Sequence, residues 1–395
     1  MSGAAGPDTS AVDFGLTEEQ RLLQQEVRRF AEERIRPGTV ERDRNHEFPA
    51  EVVKEMGEMG LLGMIVGEEY GGAGLDQLTY VVVVEELARV CPSVAVTMSV
   101  TNSVCCWPIA TFGRDELKRE VLPRLASGEC LGAFGLTEPG SGSDAGALTT
   151  AAVRDGDYWI LNGEKAWITN AGYADYYVVV ARTDPAAGKR GISAFVVDRH
   201  APGFAVGTPE QKLGLHASRT APLSFEDCRI PAINLLGEEG QGFKIALATL
   251  DHSRLGIAAQ AVGIHQRALE LAVDYAKERV QFGVPIAKHQ AIRMVIAEIA
   301  TELEVARGLT RAAALAADTR EGGRLAAEAK LFASEAANRA CYKSLQVHGG
   351  NGFSEEFEIS RLYRDVRVTT LYEGTSEMQR LVISRHLLLS SPRTC

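Results

Sequence analysis

The stretch FKIALATLDHSRLGIAAQAVGIHQRALELAVDY, residues 243–275, decides the fold. Phe243, Leu247, Leu250, Arg254, Ile257, Ala261, Ile264, Ala268, Leu271 and Tyr275 step alternately by four and three, which lays ten residues on one stripe of a single long helix. Arg254 is the only charged member of that stripe. The same spacing returns at Ile292, Ile296, Ile299, Leu303 and Ala306. Two further helical stretches, 325–347 and 376–389, complete an expected four-helix bundle. Upstream of the long helix, from about Leu131, β-branched and aromatic runs are broken by Asp155-Gly156 and Asn162-Gly163, both read as hairpin turns. Upstream again the pattern is helical. Thr17 and Gln20 form a capping box, an apolar face of Leu23, Val27 and Phe30 stops at Pro37, and Pro49, Asp76, Ser93 and Asp115 are read as openings of later helices. The expectation is α, then β, then α: an α+β chain with an N-terminal helical domain (13–130), a middle antiparallel β-barrel (131–239) and a C-terminal four-helix bundle (240–395), after a disordered tail (1–12).

Composition narrows the function. Against 52 acidic residues the chain has 42 basic ones, a formal net charge of −10 that disfavours a nucleic-acid backbone as principal partner. The longest aliphatic stretch, residues 81–84, ends at Glu85 and Glu86, so no membrane insertion is expected. Seven cysteines, an odd number without a C-x-x-C pair, point to reduced thiols in a cytoplasm and to no zinc site; no metal is expected. The first ten residues carry neither a secretory core nor an Arg-rich transit pattern.

Each local motif has a plain structural explanation. Gly140-Ser141-Gly142-Ser143-Asp144-Ala145 matches a dinucleotide fingerprint, but strands rather than a helix follow it, so a Rossmann site is set aside. What remains is a Gly/Ser loop beside Thr137 and Glu138, either a surface turn or a cradle of N–H groups for an anion. Arg254 in an apolar stripe requires a partner, and Asp251 lies one turn before it. Trp167-Ile168-Thr169-Asn170 reads as packing, Gly349-Gly350 as a helix C-cap, and Glu373 as an acid before the helix start at Gly374-Thr375-Ser376.

These features occur together and in one order. With Leu136-Thr137-Glu138-Pro139-Gly140-Ser141-Gly142-Ser143-Asp144, Trp167-Ile168-Thr169-Asn170, Phe225-Glu226-Asp227-Cys228-Arg229-Ile230-Pro231, Arg279 with Gln281-Phe282-Gly283, and Tyr372-Glu373-Gly374-Thr375-Ser376-Glu377, the chain resembles the acyl-CoA dehydrogenase family, most closely its short-chain, butyryl-CoA-like branch. The resemblance implies FAD held between the middle domain and the bundle and across a subunit interface of a homotetramer. Residue by residue it assigns Phe134, Leu136, Thr137, Gly142, Ser143, Trp167, Ile168 and Thr169 to the flavin ring and pyrophosphate. Arg279, Phe282, Gln290, Gln346, Val347, His348, Gly349 and Gly350 would reach a neighbouring subunit's FAD, and Thr375, Ser376 and Glu377 would close the site. Ser143, Asp251, His252, Ser253, Arg254 and Gly374 would line the acyl-CoA channel.

The implied reaction is α,β-dehydrogenation of an acyl-CoA thioester to the trans-2-enoyl-CoA, with Glu373 as the base for the α-proton, flavin N5 as hydride acceptor and an electron-transferring flavoprotein as the next carrier. A second solution in the family puts the glutamate on the long helix just before Arg254; Ser253 stands there, which favours Glu373. Desolvation would raise the basicity of Glu373, while the helix start after it acts the other way. The rival readings are an oxygen-using flavoenzyme of the same fold, oxidase or monooxygenase, and a flavin-free binding protein.

Overall fold

The computed structural model describes residues 15–389; the tail at 1–12 and Cys395 lie outside them. The first helix, α1 (Glu18–Phe30), begins as its sequence dictates: the Thr17 hydroxyl accepts from the Gln20 N–H at 3.2 Å, and the Gln20 side chain accepts from the Thr17 N–H at 3.0 Å. Six more helices follow: α2 (Thr39–Asn45), α3 (Ala50–Glu58), α4 (Gln77–Val90), α5 (Pro92–Val100), α6 (Trp107–Phe112) and α7 (Asp115–Ala126). Asp76 caps α4 through the Thr79 N–H at 2.7 Å. Ser93 and Asp115 do not cap: Pro92 already occupies the first turn of α5, where its missing N–H costs nothing, and Asp115 is the first residue of α7 after the N-cap Arg114.

Residues Pro92–Phe112 form one continuous helical run, longer than the aliphatic stretch at 81–84 and, by length and composition alone, apolar enough to cross a membrane. Of its most apolar 18-residue window 83% is buried inside the protein, as in the core helix of a folded domain.

The middle region contains β1 (Gly132–Gly135), β2 (Ala151–Asp155), β3 (Tyr158–Thr169), β4 (Tyr176–Arg182), β5 (Ile192–Asp198), β6 (Phe204–Val206), β7 (Thr220–Pro231) and β8 (Leu235–Leu236). The closed antiparallel barrel expected from sequence is replaced by one mixed sheet of order β6-β7-β3-β2-β4-β5-β8, with β1 beside β4 and both β1 and β2 parallel to β4. Parallel pairing needs a long crossover, and the whole β2–β3 hairpin supplies it between β1 and β4. Asp155-Gly156 is a turn, with Gly156 at φ +57°. Asn162-Gly163 is not. It lies inside β3 at a register shift, where Gly163 leaves no room for a Cβ, 2.7 Å from Thr150 Cα, and Asn162 exchanges hydrogen bonds with Asp227 of β7.

The C-terminal region has α8 (Gly242–Glu278), a small hairpin of β9 (Val280–Gln281) and β10 (Val284–Pro285), and helices α9 (Gln290–Leu315), α10 (Gly322–His348), α11 (Glu358–Val366) and α12 (Ser376–Leu389). Helices α8, α9 and α10 pack on one another and α12 packs on α10. The predicted stripe of α8 is buried from Arg254 to Ala268, and so is its opposite side between residues 253 and 266, because α4 and α5 cover it.

Asn170 joins the first two regions. Its fully buried amide donates to Thr97 O of α5 at 3.1 Å and to Gly132 O of β1 at 3.0 Å, from a backbone at φ +66°. Replacing Asn170 by Ala removes both donors and strains the left-handed backbone, so a loss of about 2–4 kcal/mol is expected in denaturant unfolding. Asn170→Gly relieves the backbone part and recovers about 1 kcal/mol of that loss.

Candidate active site

Glu373 and Gly374 form a tight bend between a 3₁₀ turn, Arg367–Thr370, and α12. Both have left-handed backbones, φ +52° and +94°. For Gly374 a side chain would be strained at this φ, and its Cβ, 2.6 Å from Gln379 Nε2, would displace the Gln379 amide. For Glu373 the conformation is costly and must be held by its surroundings. Gln379 Nε2 donates to the carbonyls of Glu373 at 3.2 Å and Gly374 at 2.9 Å, and Lys330 Nζ of α10 donates to Gly374 O at 2.7 Å. Thr375 accepts from the Met378 N–H at 3.3 Å and so caps α12.

Around this bend α8 contributes Ser253 and Arg254, and α4 contributes Tyr80, whose hydroxyl lies 2.7 Å from Ser99 Oγ. Tyr372, next to the bend, hydrogen-bonds Gln260 of α8. Burial pushes the Glu373 carboxyl up to about 7, against Ser253, Lys330 and Arg254, which favour its ionised form. Its Oε2 is buried with no hydrogen-bond partner. Burial likewise lowers Lys330 to about 8, with Glu373 opposing the shift. Desolvation is the largest of these influences on Glu373 and outweighs the hydroxyl and the two cations.

The 251–254 segment divides by helix face. Arg254 pairs with Asp251, as the one-turn spacing suggested, and keeps a buried Nε without a partner. His252 turns toward the N-terminal helices: its Nε2 lies 2.7 Å from the Gln77 amide nitrogen, its ring stacks on Trp107 at 4.6 Å, and burial lowers its pKa to about 3, keeping it neutral.

On the middle region, Phe134 lies half-buried in β1, Leu136 is buried, Thr137 is half-buried, and Gly142 and Ser143 lie exposed on the Gly/Ser loop. The loop is anchored by Glu138. Burial alone would raise this carboxyl, but Lys165 Nζ at 2.7 Å, Thr149 and Thr150 hold it at about 2. In β3 Ile168 is buried and Thr169 half-buried, while Trp167, at φ +62° on a register shift, turns its indole outward, 59% exposed. A bulky residue at positive φ is a strained feature.

A second group lies at the far end of the bundle. Arg279 closes α8, Phe282 at φ +53° projects 94% exposed from the hairpin against His289, and exposed Gln290 opens α9. There α10 ends at exposed Gln346 and buried Val347 and His348; Gly349 caps it, and Gly350 has open space around it. Tyr275 ties the two parts, stacking on His348 at 4.3 Å and accepting from Asn351 at 2.9 Å. From Arg254 to Arg279 α8 rises about 38 Å, so this group and Glu373 face different places on one chain. Thr375, Ser376 and Glu377 stay with Glu373; Ser376 is buried and Glu377 exposed.

Sequence reading missed Lys330, Gln379, Gln260, Tyr372 and Tyr80. For Lys330 a signal existed: it is a charge whose helix neighbours Ala326, Ala327, Ala329, Ala333 and Ala337 are all buried, the kind of apolar setting that singled out Arg254.

An outward-turned indole on strained backbone, open glycines at 142 and 350, and a buried carboxylate oxygen without a partner fit a bound flavin and a thioester beside it. Family models for the N-terminal, middle and C-terminal domains of acyl-CoA dehydrogenase match residues 17–129, 133–228 and 240–388. The chain belongs to the acyl-CoA dehydrogenase family. It is 51% identical to the human mitochondrial short-chain specific acyl-CoA dehydrogenase over 95% of this chain and 91% of that protein. Butyryl-CoA dehydrogenase from Megasphaera elsdenii superposes with a TM-score of 0.92 at 43% identity, covering 95% of this chain and all of that one. A chain of the structure described as electron transferring flavoprotein of Acidaminococcus fermentans has a TM-score of 0.94 at 46% identity, covering 96% of this chain and 100% of its own. The protein is therefore an FAD-dependent oxidoreductase acting on acyl-CoA, of the short-chain type; a glutaryl-CoA dehydrogenase of Mycobacterium smegmatis with this fold is in complex with FADH2.

The raised Glu373 pKa has a stability consequence. The folded state binds this proton more tightly than the unfolded chain, so its contribution is full below about pH 4.5 and lost as pH rises through about 7. Glu373→Gln lacks this dependence. Relative to wild type it should gain about 2 kcal/mol between pH 5 and pH 8, read as a difference in Tm that widens toward alkaline pH.

Proposed function

We propose that this protein converts a short or short-branched acyl-CoA to its trans-2-enoyl-CoA, with Glu373 removing the α-proton. The observation that carries this is the Glu373 carboxylate, withdrawn from water to a pKa of about 7 with one oxygen left without a partner. A carboxylate at its ordinary value is too weak a base for an α-carbon. At about 7 it is both basic and substantially ionised at neutral pH. Among the described residues no backbone hydrogen bond uses the Glu373 N–H, which leaves it available to the thioester oxygen as enolate-like charge develops there. Arg254 and Lys330 keep positive charge near the base, and Ser253 puts a hydroxyl where the other family solution has its glutamate.

Bound FAD supplies the acceptor for the β-hydride. Phe134, Leu136, Thr137, Gly142, Ser143, Trp167, Ile168 and Thr169 would hold it on the middle region, and Thr375, Ser376 and Glu377 would close over it. Arg279, Phe282, Gln290 and residues 346–350, displaced by about 38 Å of helix, would serve the FAD of another copy, in a homotetramer. The exposed Phe282 and the open Gly350 support that reading. Ser143, Asp251, Ser253, Arg254 and Gly374 would border the acyl-CoA channel, with His252 supporting its wall from the N-terminal side. An electron-transferring flavoprotein would take the electrons onward in the cytoplasm.

Glu373→Gln should fold, keep its yellow FAD and lose nearly all anaerobic flavin bleaching by butyryl-CoA; near-normal bleaching would refute the assignment. In the wild type, kcat/KM should rise about tenfold per pH unit up to about pH 7 and then level, the base being active when ionised. Arg279→Ala should retain helix content by circular dichroism but purify with less flavin per chain.

A further inference from the structure

We propose that Lys330 is a positioning residue for the base: from α10 it fixes the Gly374 carbonyl, and with it the left-handed Glu373–Gly374 bend, while keeping a cation beside the Glu373 carboxylate. The inference rests on the reading of Glu373 as the base.

Among the described residues two lysines are fully buried, Lys165 and Lys330. Lys165 has a carboxylate partner, Glu138 at 2.7 Å. Lys330 has none: among the described residues its Nζ makes no ion pair within 4 Å, and its hydrogen bond is to a neutral carbonyl, Gly374 O at 2.7 Å. A buried ammonium with one acceptor for its three N–H groups is an expensive way to hold a loop. Gln379 already donates to the same carbonyl at 2.9 Å, so packing alone does not call for a charge there. The cation gains from one group in particular, the Glu373 carboxylate, which is the largest influence opposing the desolvation of Lys330.

The other groups around the base do not duplicate this arrangement. Arg254 on α8 is a cation near Glu373 but is tied to Asp251. Tyr80 on α4 and Tyr372 beside the base are held protonated by burial, and Ser253 is neutral. On α12 Glu377 and Arg380 are exposed, and Glu335 on α10 acts on Lys330 more weakly than Glu373 does. Among the described residues only Lys330 both touches the backbone of the bend and carries charge beside its carboxylate.

The test uses the holoenzyme with butyryl-CoA and two variants that separate the roles. Lys330→Gln keeps a donor and removes the charge; Lys330→Met removes both. With flavin content and KM within about threefold of wild type, Lys330→Met should lower kcat tenfold or more and move the acidic limb of kcat/KM upward by half a pH unit or more, since the cation favouring ionised Glu373 is gone. Lys330→Gln should recover much of the lost kcat while keeping the shifted limb. If Lys330→Met does not fold, the limb of Lys330→Gln decides alone. An unshifted limb, with kcat at the wild-type level in whichever variants fold, overturns the proposal. An active Glu373→Gln would instead remove the base itself, so the two failures are told apart.

Discussion

The carboxylate of Glu373 can be taken out of water only because the protein holds the peptide that carries it. Desolvation alone would favour the protonated acid, and the left-handed backbone at Glu373 and Gly374 would relax if it were free. Donors from two helices oppose the second tendency: Lys330 of α10 and Gln379 of α12 converge on consecutive carbonyls. Nearby charge limits the first. The result is an acid poised near neutrality in a fixed orientation.

For that poise to last, the helices must not move relative to one another, and α8 is their common axis. Ion pairs tie these helices together: buried Glu85 of α4 meets Arg307 of α9 at 2.8 Å and half-buried Arg89 of α4 meets Glu270 of α8 at 2.7 Å, joining the N-terminal helices to the bundle, while within the C-terminal region Arg267 of α8 meets Glu358 of α11 at 2.6 Å. Such pairs add little net stability compared with apolar packing, yet breaking one leaves an uncompensated charge, so they penalise any other arrangement. The middle sheet is fastened at a different point, through Asn170, and presents Trp167 on a bulge that the Gly163 irregularity precedes.

Much of this was legible in the residue pattern. The four-three spacing of α8, the Thr17–Gln20 box and the Asp76 cap depend on contacts within a turn or two, so local sequence specifies them. Pairing across the sheet depends on residues tens of positions apart. Periodicity therefore marked strands but could not tell a barrel from a mixed sheet, nor a turn at Asn162-Gly163 from a bulge. The same limit hid the contact of Lys330, 43 residues before Glu373 in sequence: its apolar helix neighbours mark the residue, but the carbonyl it holds belongs to another segment.

The sequence by itself determined the order of helical and sheet regions, the family resemblance and the identity of the candidate base, because those rest on short spacings and on residue type. Only the tertiary structure decided which side of α8 each of residues 251–254 serves, that the Arg279 and Glu373 groups lie far apart, and that burial outweighs the cations around Glu373. A pKa and a distance are sums over everything nearby in space, and proximity in space is what a linear pattern does not contain.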